Sequence, residues 1–232
     1  CDPSAKPFSC GDKAKDKAAV DALAVELDTL QDLFYADRRH KLLVVLQGTD
    51  TSGKDGTIRG VFNTCGPLGV HVTSFKVPSE EERSHDYLWR VHKACPPKGI
   101  IGIFNRSHYE DVLVVKVRKF ASAEAIERRY GEINAFEKLL SDNGTRILKF
   151  MLNISKDEQA ARLQARVDDP AKHWKFNPSD LESRSRWEDY TKAKEVMLER
   201  SHIEEAPWWV VQAVDKKRAR LNCMDHLLRQ FP

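Results

Sequence analysis

The chain has 232 residues, of which 41% are hydrophobic and 31% charged, and its formal net charge is +3. That length suits one sizeable α/β domain and leaves little for a second. No apolar run reaches the length of a membrane span, and so small a positive excess does not by itself imply nucleic acid.

The five cysteines (Cys1, Cys10, Cys65, Cys95 and Cys223) show no C-x-x-C spacing and read as reduced, cytosolic and mostly structural. A start at Cys1 without Met reads as a truncated N-terminus rather than a lipid-modified cysteine. Residues 1–12 mix Pro, Ser, Gly and Lys, as an irregular arm would, and residues 13–232 read as a single domain.

A helix is predicted next, with Leu23, Leu27, Leu30 and Phe34 on one face. Arg38, Arg39, His40 and Lys41 lead into an apolar run, Leu42–Leu46, that reads as a strand buried on both faces. A glycine-rich turn follows, and Thr57, Ile58, Val61 and Phe62 continue as a helix. Val70–Val77 is a second predicted strand. Ser79 with Glu82 makes a capping box for a helix running through Tyr87, Trp89 and Val91.

Ile100–Phe104 is a third buried-type strand. A helix with Ile126, Tyr130, Ile133 and Leu140 comes later, closed by Asn143–Gly144. Arg146–Leu152 is a fourth strand. Ser155 with Glu158 opens a helix that Asp168–Asp169–Pro170 breaks, and Ser179 with Glu182 opens a long one containing Trp187, Tyr190 and Met197. Those exposed-type aromatics suit core or interface equally. Trp208–Val211 is a fifth strand and Lys216–Gln230 a final helix. Five strands alternating with helices predict a parallel sheet covered on both faces, with residues 156–181 as a mobile lid.

Three constellations carry chemistry. Gly48, Gly53 and Lys54 match G-x-x-x-x-G-K between a strand and a helix. Backbone N–H groups of such a loop turn inward around phosphate oxygens, the lysine adds a mobile cation, and the helix offers its positive end. The expected phosphate-binding set is Gly48, Thr51, Ser52, Gly53, Asp55, Gly56 and Thr57. Asp55 stands where a Ser or Thr would normally reach Mg2+, and reads as an acid favouring the helix dipole. Asp50, inside the loop, is the expected metal ligand or the group that orients the acceptor oxygen.

Asn105 and Arg106 end the third strand, where open α/β sheets place their chemistry. Arg106 suits a clamp on phosphoryl groups. Asn105 brings no charge, and Glu110 replaces it more readily than Asp111, which equally suits an ordinary helix start. Lys76 is either an acceptor contact or a solvated strand end, with Asp86 and Arg90 as weaker acceptor candidates. Arg162, Arg166, Lys172 and Lys175 suit either a polyanion or a solvated basic face. Trp174 and Phe176 among them raise nucleic acid as an alternative partner, but the lack of a stacking sheet or a recognised nucleic-acid motif speaks against it.

Gly48-x-Asp50-x-x-Gly53-Lys54-Asp55-Gly56-Thr57, then Asn105 through Asp111, then Arg162-x-x-x-Arg166 with Asp169-Pro170-x-Lys172-x-Trp174-Lys175, resemble polyphosphate kinase family 2 from about Leu23 onward. The resemblance implies a thymidylate-kinase-like P-loop fold of α/β class. It implies transfer of the terminal phosphoryl group of inorganic polyphosphate to a nucleotide with Mg2+, or Mn2+ in its place. Asn105 with Glu110 resembles the subfamily that phosphorylates both nucleoside mono- and diphosphates, so AMP, ADP and ATP are the expected partners. Asp50, Lys54 and Arg106 are then catalytic, and Arg162, Arg166, Lys172 and Lys175 line the polymer's channel. A cytoplasmic homo-oligomer, dimer or tetramer, is expected. The rival readings are an ATP-dependent nucleotide or small-molecule kinase and a nucleic-acid-binding P-loop protein.

Overall fold

A computed structural model describes residues 12–232, so the expected N-terminal arm lies outside the described residues except for Asp12. Asp12 caps the first helix, α1 (Lys13–Asp37), by accepting from the Ala14 amide. The strands are β1 (Lys41–Gly48), β2 (Val70–Ser74), β3 (Ile101–Asn105), β4 (Thr145–Asn153) and β5 (Trp208–Gln212). All pair in parallel, in the order β2-β3-β1-β4-β5.

The central position of β1 explains its composition. Leu42, Val44 and Leu46 pack into one core with Leu27, Phe34 and Met224. These come from α1 and from the last helix, α10 (Lys216–Arg229). Leu43 and Val45 pack into a second core with Tyr130, Ile133 and Met197. Tyr130 and Ile133 lie on α6 (Ala123–Asp142), and Met197 on α9 (Trp187–Ser201). A strand between two apolar layers must be apolar on both faces, and its run of Leu and Val meets that demand. The three-layer α/β fold expected from the alternation is the one observed.

Local signals fared unevenly. The Ser79–Glu82 capping box is fully formed. Its helix, however, ends as α3 (Glu80–Ser84) and restarts as α4 (Trp89–Ala94). Asp86 causes the break, because its carboxylate accepts from the Leu88 amide at 2.9 Å and ties the chain into a turn. β2 stops at Ser74 rather than Val77, and Arg90 hydrogen-bonds the Lys76 carbonyl beyond it.

At Ser155 only the serine half of the expected box forms, on α7 (Lys156–Asp168), because the Glu158 carboxylate turns to Arg162 instead. The box at Ser179 is absent. Asn177 caps that helix, with Pro178 in its first turn, and Glu182 pairs with Arg118 at 2.7 Å. The expected long helix is divided at Arg186 into α8 (Pro178–Ser185) and α9. Glu110 and Asp111 lie in a 3-10 turn, His108–Asp111, and not at the start of an α-helix. Trp187 and Tyr190 are half-buried, Tyr190 against the second core.

Candidate active site

The loop after β1 is shaped by backbone that few residues accept. Gly53 has φ +101° and precedes α2 (Lys54–Phe62). A side chain at Gly48 would meet the Leu152 carbonyl at 2.8 Å. Thr51 adopts φ +65° without being glycine, a strain of order 1 kcal/mol or more. The loop therefore keeps a fixed, unusual path at the carboxyl end of the sheet.

Lys54 closes the loop from within. Its ammonium donates to the Gly48 carbonyl at 2.7 Å and the Thr49 carbonyl at 3.1 Å, and the residue is buried. Burial, then the nearby Arg106 charge, pulls its pKa down to about 8, against the pull of Asp50, Glu110 and Asp55. An ammonium held on neutral carbonyls is ready to move to an anion.

β3 delivers Arg106 to the same place. Its guanidinium donates to Asp50 at 2.9 Å, joining groups 56 positions apart in the chain. Arg106 also has positive φ, +63°. Burial works to lower its pKa, but Glu110, Asp50, Asp180 and Asp55 overcome that and raise it. Asn105 donates to Asp55 at 2.7 Å. Asp55 is thus a partner of the third strand end as well as an acid at a helix start. Thr49 and Thr51 have buried hydroxyls without a protein partner.

The third constellation is not a bare cationic track. Arg162 is buried and spends its guanidinium on Glu158 and on the Thr51, Ala213 and Val214 carbonyls. It braces α7 against the phosphate loop and the β5–α10 connection. Arg166 pairs with Asp180 at 3.0 Å and with the Lys175 carbonyl at 2.9 Å. Lys172 pairs with Asp169, and Lys175 lies over the Trp174 ring. Both lysines are exposed.

Asp180 escaped sequence reasoning, being one acid among many. It is buried, and burial followed by repulsion from Asp50 raises its pKa. On the acceptor side the candidates do not converge. Arg90 is engaged by the Lys76 carbonyl and lies over the Phe75 ring, Asp86 makes its turn, and Lys76 is exposed.

A phosphate loop at the carboxyl end of a parallel sheet, an arginine from the next strand end and a helical segment braced over both define a P-loop kinase. The comparisons give the family. The profile of the family described as Polyphosphate kinase 2 matches residues 11–232, and the chain belongs to that family.

An AMP/ADP-polyphosphate phosphotransferase of Meiothermus ruber is 52% identical over 215 residues, 91% of this chain and 80% of that protein. An ADP-polyphosphate phosphotransferase of Rhodopseudomonas palustris is 46% identical over 207 residues, 84% of this chain and 72% of that protein. The crystal structure of polyphosphate kinase 2 from Arthrobacter aurescens superposes with a TM-score of 0.97 at 46% identity, covering 100% of this chain and 83% of that one. No helix among the described residues is long and apolar enough to cross a membrane.

Proposed function

We propose that this chain is a polyphosphate-dependent nucleotide kinase, moving the terminal phosphoryl group of inorganic polyphosphate to AMP and ADP with Mg2+. The observation that carries the reading is the meeting of Asp50, Lys54 and Arg106 at one loop. The activity named for the Meiothermus ruber relative supports the choice of donor and acceptors.

An acceptor phosphate oxygen attacks the terminal phosphorus, the bond to the bridging oxygen breaks, and the shortened polymer leaves. Little covalent work falls to the protein, so positioning and charge neutralisation do most of the catalysis. Lys54 leaves the Gly48 and Thr49 carbonyls for the phosphoryl oxygens. Arg106 clamps the transferring group from the opposite side. Glu110, close to both cations, helps set the acceptor.

Among the described residues no three His, Cys, Asp or Glu side chains gather to hold a metal alone. Asp50 still offers hard oxygen ligands beside the phosphate cradle. That chemistry fits Mg2+, or Mn2+, completed by substrate phosphates and water. The ion supplies neutralisation of charge on the phosphoryl oxygens. ATP is the product from ADP. A homo-oligomeric, cytoplasmic enzyme, a single domain with residues 156–181 as its lid, belongs to the same reading.

The test gives AMP or ADP with Mg2+ to the protein, with polyphosphate in one reaction and ATP in the other. ADP and ATP should form from polyphosphate. Phosphorylation of AMP from ATP alone would overturn the reading in favour of an ATP-dependent kinase.

Arg166 gives a second prediction. Its partner Asp180 is an anion that the polymer must displace from it. Arg166→Ala should raise the apparent KM for polyphosphate on the order of five- to tenfold, and added salt should mimic it in the wild type. An unchanged KM in steady-state assays would return Arg166 to bracing α8.

A further inference from the structure

One strongly polar cluster lies away from the phosphate loop, inside the second apolar core. Lys149, on inner strand β4, is 0% exposed, and Glu137 of α6 is 1% exposed. Their side chains meet at 2.6 Å. The Lys149 ammonium also donates to the Tyr109 hydroxyl at 2.7 Å and the Ser201 carbonyl at 2.8 Å. The Tyr109 hydroxyl in turn donates to Glu137 at 2.7 Å, and the His108 Nε2 lies 3.2 Å from the same carboxylate. Trp208 closes the cluster by donating to the Ser201 hydroxyl at 2.9 Å.

An ion pair in such a place is weak evidence for stability, since well-packed apolar residues commonly do as well or better. Its connections show another use. His108 and Tyr109 belong to the 3-10 turn that begins two residues after Arg106, beyond its capping Ser107, and Glu110 is the next residue. Arg106 holds a left-handed backbone, φ +63°, which persists only where the surroundings over-determine it. Towards the phosphate loop the segment is held by the Arg106–Asp50 contact, the Leu46 carbonyl that accepts from the Arg106 amide and the Asn105–Asp55 hydrogen bond, and Arg129 of α6 donates to the Asp111 carbonyl at the far end of the turn. Within the core, two consecutive side chains are bolted to a buried carboxylate and a buried ammonium on two different elements.

We propose that Glu137, Lys149 and Tyr109 are positioning residues, a buried polar anchor that fixes the turn carrying Arg106 and Glu110 against the phosphate loop. The inference rests on the phosphoryl-transfer reading and deepens it. The anchor touches no reacting atom. It acts by holding the Arg106 guanidinium within the small tolerance that phosphoryl transfer allows, where a shift of about 1 Å can cost a hundredfold in rate. Because substrates are bound by many other groups, its loss falls on turnover more than on binding.

The test uses the full chain with polyphosphate and AMP, and rates are normalised to folded protein. Tyr109→Phe removes one hydroxyl that bridges both charges. Glu137→Leu/Lys149→Met on the Tyr109→Phe background replaces the charged anchor with apolar side chains. Both should fold. The kcat should fall by about tenfold in Tyr109→Phe and further in the triple variant, with both KM values within about twofold of wild type. Wild-type kcat in folded Tyr109→Phe would overturn the proposal, as would a loss confined to KM. Inactive wild-type protein would instead overturn the polyphosphate reading itself, so the two failures are distinguishable.

Discussion

Lys54→Met should abolish phosphoryl transfer, with a loss on the order of 10³-fold in kcat/KM, and yet leave the fold at least as stable as wild type. The lysine is buried with its pKa lowered to about 8, chiefly by desolvation. The folded protein therefore carries a buried ammonium at neutral pH, at a cost of roughly 3 kcal/mol or less. Methionine matches its length without the charge. Lost donors to the Gly48 and Thr49 carbonyls offset part of the gain, so a net rise of about 1–2 kcal/mol is expected at pH 7.

The sign of the pH dependence follows from the depressed value. Below about pH 8 both folded and unfolded chains hold the proton and the penalty is complete. Between about 8 and the ordinary lysine value of about 10.4, the unfolded chain binds the proton and the folded chain does not. Wild-type stability should therefore rise relative to the variant across that window. Urea unfolding at neutral and alkaline pH checks it. A variant that is less stable at pH 7, with no difference in pH slope, would show that Lys54 is comfortable where it sits.

Asp50→Asn should lower kcat on the order of 10²- to 10³-fold with little change in melting temperature. Its contact with Arg106 is partly exposed, the side chains being 21% and 42% accessible, so the pair adds about 1 kcal/mol at most. Mg2+ titration separates two ways in which the carboxylate could act. A ligand to the ion predicts a weakened apparent Mg2+ affinity, and a group that only steers Arg106 predicts the same affinity at a lower rate. Wild-type turnover in the variant would remove Asp50 from the chemistry.

The phosphate loop and the end of β3 were legible because their signals are short. Gly48, Gly53 and Lys54 sit within seven residues, and a strand that is apolar on both faces announces a buried position. Contacts between distant segments were not legible. Arg162 reads from sequence as a cation on an exposed face, but its partners include Ala213 and Val214, which no helical spacing indicates. Asp180 becomes notable only when α8 brings it towards Asp50. Lys149 did leave a trace, as a single charge in the middle of Ile147, Leu148, Phe150 and Met151. A lysine in so apolar a strand must be paired or aimed at a partner. The helix break at Asp86 was not legible for a different reason, since the 3.6-residue pattern continues across it while a local side-chain turn decides the end.

The strand order also sets a timetable for biosynthesis. Leu42 of β1 pairs with Ile101 on one side and Arg146 on the other, so both neighbours of β1 leave the ribosome after it. β1 and its glycine loop are made early, yet Arg106, Arg162 and the Ala213 carbonyl that complete their surroundings arrive later. A nascent chain halted before α7 would hold the phosphate-loop motif without Arg162 to brace it. Long-range parallel pairing of this kind is slow to form, and the strands made first wait exposed. The part of the molecule easiest to recognise in its code is thus among the last to take shape, and a growing chain is most exposed to proteases and chaperones while that loop is still unsupported.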